Sequence, residues 1–402
     1  MLNNIPNVRL RIFLALFLAS VFVVAQKIET VNGVRVVHNE KGGQWGASPA
    51  AKIELIRTIG GLDAEENLSF DEPNDIVRDS AGNLYILDAG NNRIQKLDSA
   101  GKFIKTIGRK GQGPGEFQSA HSMDIDNENN LFVFDVRTRR IEVFSSDGKP
   151  LRTLKFRAFS TGHIRLLKTS LFVRGGSLDF GIVMGSVKKL PKLLEMIDQN
   201  GKIKLAFGEA KDYGDGNTSW HANRFDLDTD AEKNICVSFQ MQNRIEKYSP
   251  DGKLLWQADR PLNYGTDVIE KGFISRRRGG VGVQGPKMNI VSSGIAVDGK
   301  GRIWVITLHR QLTKEEMGSG GSVVTTDAGV VSRKIPSQPK VVKADIYKLQ
   351  IFSPDGMLLG EIPLPHHAHG IRIFGDNLFI REYYNTIFYQ YKIIGNESHS
   401  QS

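Results

Sequence analysis

The feature that most constrains this chain is internal repetition. Six times over, a strand-like segment is followed by a polar turn, a strongly apolar run and an alternating segment. The first segments, A, are 74–79, 121–126, 163–168, 223–228, 293–298 and 369–374. The apolar runs, B, are 84–88, 131–135, 171–175, 235–239, 303–307 and 378–382. They are too short and too rich in β-branched residues for helices. The alternating segments, C, are 93–98, 140–145, 192–198, 244–249, 348–353 and 387–392. After five of these comes a turn holding Gly101, Gly148, Gly201, Gly252 or Gly356, then a fourth strand, D, such as 103–108 or 202–208.

The sixth unit has no fourth strand after it, and an unassigned strand stands at the other end of the chain. Ile53-Glu-Leu-Ile-Arg-Thr-Ile-Gly60 reads like Phe103-Ile-Lys-Thr-Ile-Gly108 and precedes the first A segment. A ring of four-stranded sheets closed by that strand removes the open edges of a linear array. The expected fold is therefore all-β: a six-bladed β-propeller of four-stranded blades, its ring closed by the N-terminal strand. Residues 53–394 supply about 57 residues per blade, against roughly 40–50 in compact propeller repeats, so the surplus belongs in loops. Composition agrees, since 42 glycines in 402 residues mark a turn-rich chain. Apolar content of 40% and charged content of 24% exclude a disordered chain and a polytopic membrane protein. The single cysteine, Cys236, cannot form an internal disulfide and lies in an apolar run as inert core.

The first 25 residues read as an export signal. Arg9 and Arg11 precede an apolar stretch, 12–25, which ends in small residues suited to cleavage before Gln26. Fourteen apolar residues are short of the ~20 that cross a bilayer, so no stable membrane span is expected after cleavage. The organisation is then 1–25 signal peptide, 26–52 lead-in, 53–394 propeller and 395–402 tail, with a periplasmic or secreted destination. Loss of the two arginines leaves a formal charge of about +7 of the original +9. That balance suits an anionic small molecule or an envelope protein, and export argues against nucleic acid as partner.

The repeats also carry a resemblance. Pro73-Asn-Asp-Ile-Val77, Asn83-Leu-Tyr-Ile-Leu-Asp88, Asn92-Arg-Ile-Gln-Lys96 and the linker Gly111-Gln-Gly-Pro-Gly-Glu-Phe117 resemble the NHL-repeat six-bladed propellers. The first two blades match well and the fourth in part; the others match by pattern. The resemblance implies the fold, in an exported bacterial member, and leaves function open, because such propellers include lyases, scaffolds and nucleic-acid binders.

Several local motifs carry no chemistry. The Gly-rich linker lacks the Gly-Lys-Ser/Thr of a phosphate loop, and there is no Gly-x-Ser-x-Gly or His-Glu-x-x-His. Asp88 with Arg93 and Asp135 with Arg140 recur at equal offsets and read as structural pairs. Phe70, Phe117 and Phe159 share a phase and read as wedges between blades.

The histidines point to a site. Counting back five from the A-segment ends places Asn74, His121, His163, Asn223, Ser293 and His369 in one ring at the channel mouth. His221, His366, His367 and His309 fall in loops on that same upper face, so seven of nine histidines gather there. Converging imidazoles can bind a metal or act as acid and base. Three long insertions, 174–191, 260–292 and 308–345, emerge on the same face, as recognition loops do. One carries Arg276, Arg277 and Arg278, a candidate clamp for carboxylate or phosphate. The leading expectation is a binding propeller that takes an anionic ligand or a partner protein through His121, His163, His369, Asn74, Asn223 and the arginine triplet. The alternative is a metal-dependent lyase or hydrolase. It would hold zinc in the central channel on His121, His163 and His369, like the zinc-dependent amidating lyases of this architecture, or calcium through Asn74, Asn223, Asp88, Asp135 and Glu382, like lactonase-type propellers.

Overall fold

A computed structural model of the chain describes residues 26–46, 49–155, 162–168, 171–175, 181–185, 187–277, 280–313, 316, 323–326, 329–333 and 345–395. The expected signal peptide and tail, and Phe159, lie outside these residues. Six four-stranded antiparallel units form the ring, each running A-B-C-D from the axis outward. Blade one is Pro73–Arg78, Leu84–Asp88, Arg93–Leu97 and Phe103–Ile107. The sixth blade borrows its outer strand: Ala51–Gly60 pairs antiparallel with Ile387–Gly395, Ile53 opposite Ile393 and Gly60 opposite Ile387. The closure expected from the missing strand is what joins the two ends of the chain.

The core explains why the B strands are apolar on both faces. Buried side chains fall into six clusters, and each lies between two adjacent blades. Sheets stacked face to face around an axis bury both faces of every central strand, so Leu84–Asp88, Leu131–Asp135 and Ile235–Phe239 are buried throughout. Phe70 and Phe117 are interblade wedges, and both need a glycine. A Cβ on Gly60 (φ +89°) would meet the Phe70 ring at 2.6 Å, and one on Gly108 (φ +74°) would meet Phe117 at 2.3 Å.

The lead-in is more structured than an unassigned segment. Lys27–Val31 and Val34–His38 form a hairpin whose second strand adds in parallel to the outer strand of blade four, Leu254–Ala258. His38 lies between Asp259 (2.6 Å) and Glu29 (3.2 Å), and burial of Val37 completes the seam. The chain then crosses blade five, where the Gln44 and Trp45 amides donate to the Leu358 and Leu359 carbonyls.

One registration differs from expectation. Blade four's A strand is Phe225–Thr229, not 223–228. Its end is marked by Asp230, whose carboxylate accepts the Asn234 amide as Asp79 accepts that of Asn83 and Asp126 that of Asn130. This turn recurs at Asp298 with Arg302, and its Asp-x3-Asn spacing fixes the phase. Asp226 pairs with Ser238 as Asp75 pairs with Leu87, so it has the phase of Asp75, and Asn223 falls before the strand begins.

Candidate functional site

The axis of the propeller is polar and closes partway down. Arg165 and Arg372 reach across it, Arg165 to Asp228 (3.1 Å) and Asp75 (3.8 Å), Arg372 to Asp228 (3.4 Å), Asp75 (3.5 Å) and Asp124 (3.6 Å). Burial alone would raise the Asp75 pKa, but the two guanidiniums hold it below the usual carboxylate range. The same carboxylates raise Arg372 against its own burial. The void beside this network is about 40 Å³, room for little more than a water molecule. The network forms a floor across the axis, and the space above it is a cup.

Above the network is a cavity of about 380 Å³, whose walls include Asn74, His121, His163, Arg224, Asp226, Gln240, Ser293, His369 and Arg381. Backbone irregularity places part of this set. Register shifts between Pro73/Asp75, Ala120/Ser122 and Ser292/Gly294 leave Asn74, His121 and Ser293 as the extra residue of a bulge at the mouth. His163 opens its A strand opposite Gly175 and meets Asp226 at 3.1 Å, with its Nδ1 buried and unpartnered. The ring of His121 lies 5.8 Å from that of His163. His369 accepts the Tyr383 amide at Nδ1 (3.2 Å), so the neutral ring carries its proton on Nε2.

The cavity keeps the imidazoles of His121 and His369 neutral. Burial, then the charges of His163 and Arg381, push His121 down to about 3. Burial, then Arg381, push His369 down to about 3. The arginines are the charged groups. Arg381 donates to the carbonyls of Asn74 (2.8 Å) and His369 (2.7 Å) and to Asn74 Oδ1 (3.0 Å), while its Nε is buried without a partner. Arg224 makes no side-chain hydrogen bond or ion pair among the described residues and faces the Trp220 ring at 5.9 Å. No carboxylate lies within ion-pair distance of either guanidinium in that set, and burial lowers both pKa values. Asp226 is the one acid of the wall. Burial pushes it up, but the hydrogen bond and charge of His163 and the hydrogen bond of Gln240 bring it below its usual value.

The expected residues divide accordingly. His121, His163, His369, Asn74 and Ser293 line one cavity. Asn223 does not: it is fully buried, caps the short helix Gly216–Ala222 and bonds the Ser219 and Lys211 carbonyls. Its misplacement follows from the two-residue slip in blade four. Arg276 and Arg277 lie on the hairpin strand Phe273–Arg277, of which the backbone alone is described there, and Arg278 lies outside the described residues. Arg93 pairs with Asp88 at 2.7 Å, but Arg140 pairs with Glu142 at 2.7 Å instead of Asp135. Asp135 accepts the amides of Gln118, Ser119, Arg137 and Thr138. His366 is held by Tyr391 (2.6 Å) and stacks on Tyr389 (3.6 Å). Arg224, Asp226 and Arg381 were not anticipated. A signal for Arg381 existed, since it is a charged residue interrupting an apolar B run.

For zinc, three imidazole nitrogens would have to stand about 2.0–2.1 Å from one point. His163 is engaged with Asp226, and His369 lies nearly parallel to His367 with ring centres 5.8 Å apart. Among the described residues no three His, Cys, Asp or Glu side chains are grouped to hold a metal ion. Asp88 is occupied by Asp71, Asn91 and Arg93, and Glu382 by Asn385 and Tyr389, which leaves calcium no comparable set of oxygens here.

Comparison with known proteins supports the architecture. Residues 32–172 match the DUF5128 family model, described as a 6-bladed beta-propeller. No curated protein matches the chain significantly. Among solved structures, a member of the DUF4221 family from Bacteroides vulgatus aligns over 89% of this chain and 100% of its own, at 12% identity and a TM-score of 0.56. A Bacteroides fragilis protein described as a candidate exported protein aligns over 90% of this chain and 100% of its own, at 10% identity and a TM-score of 0.51. A virginiamycin B lyase from Staphylococcus aureus covers 85% of this chain and 100% of its own at 11% identity and a TM-score of 0.45. At these identities the likeness is one of fold, and no helix among the described residues is long and apolar enough to cross a membrane. By family model and by solved structures alike, the chain is similar to six-bladed β-propellers.

Proposed function

We propose that this is an exported, NHL-type propeller that binds a small anionic ligand in the upper mouth of its channel. One observation carries the reading: Arg224 and Arg381 line the same cup of about 380 Å³, with no carboxylate in ion-pair contact with either among the described residues. A half-buried guanidinium with no carboxylate in contact is costly, and an anion arriving there relieves that cost for both. The neutral rings of His121 and His369 add hydrogen-bonding groups without competing charge. Export rests on the N-terminal segment and on the likeness to a candidate exported protein. The run Arg276, Arg277 and Arg278 supplies further positive charge in the insertion between blades four and five.

The test is calorimetric titration of the mature protein, prepared without a polyhistidine tag, with small carboxylates and phosphate at two salt concentrations. Binding should weaken with salt. Arg224→Gln should weaken it by about tenfold or more, with a folded, equally cooperative protein. Affinity indifferent to both changes removes the reading. Elemental analysis of the same sample checks the metal alternative: a stoichiometric ion, required for binding, would favour it.

A further inference from the structure

The wall of the cup is divided between hydrogen-bond donors and acceptors. Blade six and blade one, which adjoin where the ring closes, present donors. His369 offers Nε2–H because its Nδ1 accepts the Tyr383 amide. Arg381 brings its guanidinium, and Asn74, whose Oδ1 is taken by Arg381, keeps its amide N–H groups. Blade four also brings the Arg224 guanidinium, a donor, but beside it blades four and five present acceptors. Gln240 donates to Asp226 Oδ2 at 3.2 Å, which leaves its own Oε1 to accept. Asp226 is a carboxylate with lone pairs beyond those engaged by His163 and Gln240. Ser293 donates to the Ala368 carbonyl at 2.6 Å and so turns lone pairs to the cavity it lines.

An acceptor-only anion such as a simple fatty acid satisfies the donor arc and leaves the other unsatisfied. It would also bring its charge toward Asp226. A ligand with a carboxylate at one end and O–H groups at the other satisfies both arcs, since each hydroxyl donates to Asp226, Gln240 or Ser293. Charge sets the ionic state. Counting the two arginines against Asp226, the arginines exceed the acid by one charge, which a monoanion matches and a dianion exceeds. A neutral amino acid brings an ammonium to the acceptor arc but leaves that surplus in place, whereas glutamate, with a net charge of about −1, would match it and differs from a sugar acid in offering an ammonium in place of hydroxyls.

Resting on the anionic-ligand reading above, we infer that the site takes a hydroxylated monocarboxylate of sugar-acid size, with the carboxylate toward Arg381 and His369 and the hydroxyls toward Asp226 and Gln240. The cavity volume is at the small-ligand end of the range seen for such pockets.

Calorimetric titration of the full mature protein with five probes tests this: D-glucuronate, hexanoate, D-glucose, L-glutamate and inorganic phosphate. D-glucuronate should bind about tenfold or more tighter than each of the others, because analogues leave one arc of buried polar groups unpaired. Gln240→Leu should cost D-glucuronate about threefold to tenfold and leave hexanoate unchanged. If hexanoate or phosphate equals D-glucuronate, the inference fails while the anionic reading stands. A preference for L-glutamate would replace the hydroxyl assignment with an ammonium and overturn it. Equal binding of D-glucose, or no binding of any anion, removes both. The wild-type panel decides the matter even if the variant does not fold.

Discussion

Arg372 touches three carboxylates on the propeller axis and is 7% exposed. Replacing it with methionine keeps much of the volume and leaves Asp75, Asp124 and Asp228 to share Arg165. Breaking a buried network from one side should cost about 3–5 kcal/mol, because the remaining charges stay desolvated. Urea unfolding of Arg372→Met measures it, and a loss under about 1 kcal/mol would mean that solvent enters the axis. The mouth histidines give the second residue-scale prediction. His121 and His369 have folded pKa values near 3, below their unfolded value of 6.5. Between those values the unfolded chain binds more protons, so stability is full above about pH 6.5 and falls as pH drops toward 3, by up to about 1.4 kcal/mol per pH unit for each histidine. Replacing both with glutamine should flatten the melting temperature over pH 6.5 to 4. A slope equal to wild type would sink the assignment.

At the scale of elements, Ala51–Gly60 is tied to the C strand of the last blade more than 300 residues away. A chain beginning at Leu62 would lose that strand, bare Ile387–Gly395 as a sheet edge and uncover Phe70 and Phe388. The expected cost is several kcal/mol, a large part of the roughly 5–15 kcal/mol that keeps a protein folded. Scanning calorimetry decides it: melting like the mature chain would refute closure by this strand. The hairpin Lys27–His38 has a different role. It extends blade four outward and carries no ring-closing pairs, so its contribution is to cover one edge.

For the whole molecule, six interblade clusters make a rigid ring and leave the axis to polar side chains. Such a scaffold displays ligand-contacting groups from several distant parts of the sequence at one mouth. Asn74, Asp226 and Arg381 come from blades one, four and six and share one wall. The plug of Arg165, Arg372 and their aspartates gives this wall a floor.

The sequence by itself determined the blade count, the strand order within a blade and the closing strand. Each of these is written as a period, and period follows from burying both faces of every B strand between neighbours. It also placed His121, His163, His369 and Asn74 at one level, because residues of equal phase occupy equal positions in a rotationally repeated fold. Tertiary structure alone decided which polar groups face each other. Asp226 replaced Asn223 because the long loop before blade four shifts where the strand begins, and a short helix took Asn223 as its cap. Arg381 reaches the mouth from a B strand through the carbonyl of His369 in its own blade and that of Asn74 in blade one, and the second contact crosses the ring closure and has no signature in local spacing. The lead-in hairpin likewise found its partner 220 residues away by pairing with an open sheet edge, a choice made by geometry and not by any pattern within the segment.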